Sequence, residues 1–97
     1  MIRSFKNRGT EEIFNGHDTR VANRTCPRTL WRIARRRLDQ LDSVSSLREL
    51  RIPPGNQLEA LKGDRAGQYS IRINDQYRIC FVWTDTGPAE VEIVDYH

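Results

Sequence analysis

The sequence predicts an α+β fold, a helical layer laid on a small, mainly antiparallel sheet. Three observations predict it. Apolar residues recur at i, i+3 and i+4 between Leu30 and Leu41, the spacing of one helical face. Three alternating apolar stretches, separated by turn residues, follow from Tyr69 onward. The length of 97 residues bounds the chain to one domain, residues 1–97, near the lower end of what folds around a single core.

Ile2 to Phe5 reads as a short first strand. Thr10 to Asn15 suits one or two helical turns, with Glu11 and Glu12 at the end where the helix dipole favours carboxylates and Asn15-Gly16 as a stop. His17 to Thr25 is polar, carries turn formers and reads as a loop. Pro27 stands where a helix can begin, because its missing N–H costs nothing at the first helical position. An amphipathic helix is expected from about Pro27 to Leu41, with Leu30, Ile33, Ala34, Leu38 and Leu41 inward. Arg32, Arg35, Arg36 and Asp39 fall opposite, as a solvated outer face or a basic recognition surface. Val44 to Leu50 adds a helical turn, which Ser45-Ser46 and Glu49 suit. Ile52-Pro53-Pro54-Gly55-Asn56 stops it, since consecutive prolines exclude regular helix.

Leu58 to Leu61 is a short apolar piece leading into the loop Lys62 to Gly67. Tyr69, Ile71 and Ile73 alternate with Ser70 and Arg72 as a half-buried strand does; Asn74-Asp75-Gln76 is a turn. Tyr77, Ile79, Phe81 and Trp83 form the next strand, Thr84 to Pro88 turns, and Ala89 to Val94 forms the last. Such a meander has an apolar face that needs a cover, and the Pro27–Leu41 helix is the natural one.

Composition narrows the chemistry. Sixteen basic residues against thirteen acidic give a net charge of +3 and a pI near 9.2. Fourteen of the sixteen are arginine, whose planar fork suits bidentate phosphate recognition, so an acidic partner is expected. No apolar run approaches the roughly 20 residues of a membrane span, and the first residues lack a signal-peptide stretch, so the protein is expected to stay where it is made, away from membranes. Cys26 and Cys80 are unpaired in spacing, as are His17 and His97, which argues against a zinc site and for no bound metal. Cys80 reads as a small buried hydrophobe, and a cytoplasmic setting disfavours a disulfide. Lys62-Gly63-Asp64-Arg65 lacks the spacing of a phosphate-binding P-loop.

Asp95-Tyr96-His97, a carboxylate, a phenol and an imidazole, follow the last strand. All are proton-transfer groups at a rigid strand end, or else a solvated tail. Lys62, Arg65, Arg72 and Arg78 are the cations of the loop and sheet. Arg78 stands mid-strand among apolar residues, so it lies on the solvated face, clamps a phosphate, or pairs with Asp95, Glu90 or Glu92. Tyr69, Tyr77 and Trp83 read as packing, Tyr96 as a working group that unpaired RNA could stack on.

These residues resemble a known family. Pro53 to Arg72, Asn74 to Phe81 and Val91-Glu92-Ile93-Val94-Asp95-Tyr96-His97 are similar to the HigB-type plasmid-maintenance killer proteins of the RelE superfamily. So are Ile2 to Phe5 and Arg35 to Asp42, so the resemblance spans nearly the whole chain and is weakest from Asn7 to Arg28. It implies two N-terminal helices packed on a small, mainly antiparallel twisted sheet. It also implies a bacterial, cytoplasmic toxin of a type II toxin–antitoxin system, a ribosome-dependent mRNA endonuclease that works without a cofactor. The implied partners are a HigA-type helix-turn-helix antitoxin, the ribosome and its mRNA, and operator DNA only through the antitoxin complex. Carried over by position, Asp95, Tyr96 and His97 match the family's catalytic ending, and Lys62 and Arg78 its basic positions, with Arg65 and Arg72 as further RNA contacts. Glu59 falls where some relatives have histidine, which leaves the general base open among Glu59, Asp95 and His97. The competing reading is a catalytically silent RNA- or antitoxin-binding module of the same fold.

Overall fold

A computed structural model describes residues 1–96. The N-terminal segment is not a full strand. It runs beside the last strand and forms one parallel bridge, Phe5 to Val91, with Arg3 N–H donating to the Pro88 carbonyl at 2.7 Å and Lys6 N–H to the Val91 carbonyl at 2.9 Å.

Helix α1 (Arg8–Phe14) starts because the Asn7 side chain accepts the Thr10 N–H at 2.9 Å, satisfying one of the donors a helix start leaves unpaired. The expected loop at His17 to Thr25 is instead largely helix α2 (Arg20–Thr25). Its cap is Thr19, whose hydroxyl accepts the Ala22 N–H at 3.2 Å, and only Ala22 turns fully inward. Six residues with one buried apolar side chain leave no periodicity to read. Helix α3 (Trp31–Ser43) begins later than expected: Pro27 leads a 3-10 turn, Arg28–Leu30, that precedes it. Ala34, Leu38 and Leu41 of α3 are buried, as its spacing predicts. A second 3-10 turn, Leu47–Arg51, carries a capping box between Ser46 and Glu49.

The sheet is antiparallel in the order β1 (Glu59–Ala60), β2 (Tyr69–Arg72), β3 (Tyr77–Thr84), β4 (Gly87–Asp95). The three-strand meander thus gains a two-residue edge strand, and the β3–β4 turn narrows to Asp85-Thr86. Register shifts by one between Cys80 and Val82, a bulge in which Glu90 sits at φ +53°. Ser4 fixes that bulge, its hydroxyl accepting the Glu90 N–H at 2.9 Å and its carbonyl the Val91 N–H at 3.1 Å.

Ile71, Ile79, Phe81, Val91 and Ile93 form one face of the sheet and, with Ile73 just past the end of β2, pack on Ile13, Ala22, Ala34, Leu38 and Leu41. Thr10 joins the layers, its buried hydroxyl accepting the Ile93 N–H at 2.9 Å. No helix among the described residues is long and apolar enough to cross a membrane.

Candidate active site on the outer sheet face

Strand alternation sends every second side chain to the face turned away from the helices. The register then builds a row across all four strands: Glu59 opposite Ser70, Ser70 opposite Cys80, Cys80 opposite Glu92. Ser70 and Cys80 are small and fully buried, so the middle of the row is a floor on which longer side chains lie. The adjacent row is Arg72, Arg78 and Val94.

Arg78 is held over this floor by uncharged groups. Its Nε donates to Ser70 Oγ at 2.8 Å and its Nη2 to the Gln57 carbonyl at 2.6 Å, and its guanidinium carbon lies 5.9 Å from the centroid of the Tyr96 ring. Gln57 is in the left-handed region at φ 45°, a sparsely populated conformation for a non-glycine residue; it is this residue whose carbonyl meets Arg78. Tyr96 is anchored by its own N–H, which donates to the Gln76 carbonyl at 2.6 Å. Arg72 faces Arg78 directly, an arrangement that costs stability for like charges. Asp75 pairs with Arg72, so the net positive charge of the pair rests on Arg78.

Beside them lies an ion cluster. Glu92 Oε1 accepts Arg65 Nη1 at 3.1 Å and stands 3.8 Å from Lys6 Nζ. Arg65 Nη1 also donates to Gln68 Oε1 at 3.1 Å. The hydrogen bond to Glu92 pushes Arg65 above the usual guanidinium value. Burial pushes the Cys80 thiol up, against the opposing pull of Arg65, Arg78 and Lys6. Cys26, on the helix side, is pushed up to about 11 by burial. Both cysteines are free and buried.

Of the residues expected at a site, this face gathers Glu59, Arg65, Arg72, Arg78 and Tyr96. Glu59 is exposed at its β1 edge, and Lys62 is exposed in the β1–β2 loop. Asp95 falls on the other side of the alternation, in register with Tyr77, and accepts Gln76 Nε2 at 3.0 Å. Tyr77 has its phenol pushed up by burial and by the Asp95 charge. His97 lies outside the described residues. The ion pair expected as one alternative for Arg78 goes to Arg65 in the case of Glu92. Lys6, Gln57 and Ser70 were not singled out, and Glu92 only as a possible partner of Arg78. The outward placement of Ser70 and Glu92 follows from period-two alternation, whereas nothing local marks Lys6 or Gln57.

Two open depressions lie off this face. One of about 370 Å³ is lined by Leu47, Arg48, Arg51, Leu58, Ala60 and Tyr69. The other, about 470 Å³, lies on α3 among Trp31, Arg32, Arg35, Arg36 and Asp39. Among the described residues no three His, Cys, Asp or Glu side chains stand together as a metal-binding group.

Residues 3–97 match the family described as the RelE-like toxin of the type II toxin–antitoxin system HigB. The chain is 39% identical over 97 residues to Toxin HigB-1 of Vibrio cholerae, covering 100% of this chain and 98% of the relative. It is 31% identical over 97 residues to Endoribonuclease HigB of Proteus vulgaris, covering 100% of both. In structure it is similar to a chain of the YoeB–YefM complex from Staphylococcus aureus, with a TM-score of 0.54 at 16% identity, covering 100% of this chain and 98% of that one. At that identity the likeness speaks for the fold alone.

Proposed function

The chain belongs to the RelE-like HigB toxin family of type II toxin–antitoxin systems, and from that premise we propose that its outer sheet face cuts messenger RNA in a bacterial cytoplasm. The observation that carries this reading is Arg78, a cation held over a floor of small side chains by uncharged groups, with an aromatic ring beside it. A guanidinium so placed keeps its charge available for a phosphate, and Tyr96 offers a ring on which an unpaired base stacks.

The reaction follows from RNA's own chemistry. The 2′-oxygen attacks the adjacent phosphorus, the bond from phosphorus to the 5′-oxygen breaks, and the products are a 2′,3′-cyclic phosphate and a 5′-hydroxyl. A base takes the 2′-proton, an acid gives one to the leaving oxygen, and cations stabilise the charge that grows on phosphorus-bound oxygen. Glu59 shares the sheet face with Arg78 and is assigned the base. His97, next after Tyr96, is assigned the acid. Arg78, Arg65 and Lys62 carry the charge stabilisation, with no metal ion assigned to it, and Arg72 contacts the RNA backbone. Asp95 accepts Gln76 Nε2 and alternates to the side of the sheet opposite Arg78, and it is assigned a supporting role at the strand end.

The face is open, with Glu59, Lys62 and Tyr96 all exposed, which supports a reading in which the strand is aligned from outside the protein. A ribosome that already holds the message supplies that alignment. The partners proposed with this reading are a HigA-type antitoxin that silences the toxin, and operator DNA reached through that complex; membership of a toxin–antitoxin family supports the first.

The test is cleavage of a defined mRNA on programmed ribosomes, with cut positions mapped, a no-ribosome control and a metal-chelated arm in which ribosome integrity is monitored. Cuts within codons that need ribosomes and survive chelation support the reading. Folded, antitoxin-free protein that makes no cut would favour a silent RNA- or antitoxin-binding module instead.

A further inference from the structure

The chemistry above uses the cations of the sheet face and leaves one of its carboxylates without a part. Glu92 is set among those cations with its side chain 13% exposed. A carboxylate there repels the phosphate the face is built to meet, and partial burial strengthens that repulsion. Its contacts explain its presence. Arg65 comes from the loop between β1 and β2, in a 3-10 turn of three residues (Gly63–Arg65), and Lys6 from the N-terminal segment, itself 51% exposed at the side chain. Neither backbone belongs to β3, which carries Arg78, or to a strand paired with it. Glu92 lies on β4, paired with β3 and in register with Cys80, and one of its oxygens faces both cations.

The direction of the bonds matters as much as their number. Glu92 and Gln68 both take Arg65 through Nη1. A guanidinium offers five donors in a rigid fork, so the edge formed by Nη2 and Nε stays outside these two bonds, with the spacing that two oxygens of one phosphate require.

We propose that Glu92 is a positioning residue: it fixes the Arg65 guanidinium, and Lys6 beside it, on the cleavage face so that the Nη2/Nε edge of Arg65 meets the phosphate already oriented. This rests on the reading of the face as a ribonuclease site. An oriented cation stabilises a transition state more than a mobile one, because no reorganisation is needed at the moment of reaction. Glu92 weakens ground-state attraction for RNA while raising the rate of the step, so its removal moves kcat and KM in ways a stability tie does not.

The experiment compares ribosome-programmed cleavage by the wild type, Glu92→Gln, Arg65→Gln and the double variant, with Tm measured for each. Glu92→Gln should lower kcat by about 10-fold or more with KM unchanged or lower, the size expected for disturbing one charge-stabilising donor. In the Arg65→Gln background the same change should add no further loss of kcat, since Glu92 acts through Arg65. If Glu92→Gln does not fold, Glu92→Asp carries the test: it keeps the charge, falls one methylene short, and should lower kcat at constant KM. Wild-type kcat in the folded Glu92 variant, or losses that multiply in the double variant, overturns the proposal and leaves the ribonuclease reading standing. An inactive wild type overturns both.

Discussion

The guanidinium carbon of Arg78 lies 5.9 Å from the centroid of the Tyr96 ring, joining the middle of the sheet to the residue just past its last strand. At an exposed position such a contact contributes about 0.5–1 kcal/mol. The Tyr96 N–H bond to the Gln76 carbonyl adds to it, and together they hold the ring where Arg78 works. On the proposed reading the pair has two separable duties, charge from one side chain and a stacking surface from the other.

Replacing Arg78 by alanine should lower the cleavage rate by about 10²–10³, the cost of losing a preorganised charge-stabilising donor. Arg78→Lys should recover little, because an ammonium cannot serve Ser70, Gln57 and a phosphate at once. Far-UV circular dichroism of both variants should match the wild type. Full cleavage by a folded Arg78→Ala protein would remove Arg78 from the reaction.

Thr10→Val tests the link between helices and sheet. The Thr10 hydroxyl is the acceptor for the buried Ile93 N–H, and valine fills the same volume without accepting. An unpaired buried donor costs about 1–3 kcal/mol, which urea unfolding should show as a lower midpoint at unchanged slope. An unchanged midpoint would mean that the N–H finds another acceptor.

At Gly9 two effects oppose each other. Alanine in a helix is favoured over glycine by about 1 kcal/mol, yet a Cβ here would stand 1.7 Å from Thr25 Oγ1 and 2.8 Å from the Val21 carbonyl oxygen. The hydroxyl can turn away; the backbone of α2 cannot without moving the helix. Packing should win, with Gly9→Ala destabilising by about 1–3 kcal/mol and a lower Tm. A Tm at or above wild type would show that α1 and α2 separate easily.

Cys26 gives the protein an alkaline limb. Burial holds its thiol at about 11 against an ordinary 9.0, so the fold favours the protonated form. That contribution is complete below pH 9 and is lost as pH rises through about 11, amounting to no more than about 3 kcal/mol. Between these pH values the stability of Cys26→Ala should fall less steeply than that of the wild type in denaturant titrations. Parallel curves would assign the limb to other groups.

How much could be read beforehand depends on the distance over which each feature is encoded. The inward face of α3 is visible because Ala34, Leu38 and Leu41 repeat within one helix, and the pleat of β3 because Ile79 and Phe81 alternate within one strand. Helix α2 escaped because its start depends on one Thr19 hydroxyl and its burial on Ala22 alone. At the site, Arg78 stood out as a charge among apolar neighbours, and Arg65 as a basic residue in a glycine-bearing loop. That Arg65 would meet Glu92, 27 positions away, depends on the register of three strand pairings, and Lys6 arrives through the Glu90 bulge. Long-range register has no local signature, so these residues emerged only from the fold.

Ser4 and Glu90 touch across 86 positions of sequence, and the same seam brings Lys6 to Glu92. Synthesis runs from the N-terminus, so the opening segment waits unpaired until β4 exists. A half-made copy holds Arg65 without Glu92 to orient it and Arg78 without Tyr96 beside it. The opening segment and β4 therefore complete the charged cluster jointly, and a change that loosens either one loosens the other's side chains with it.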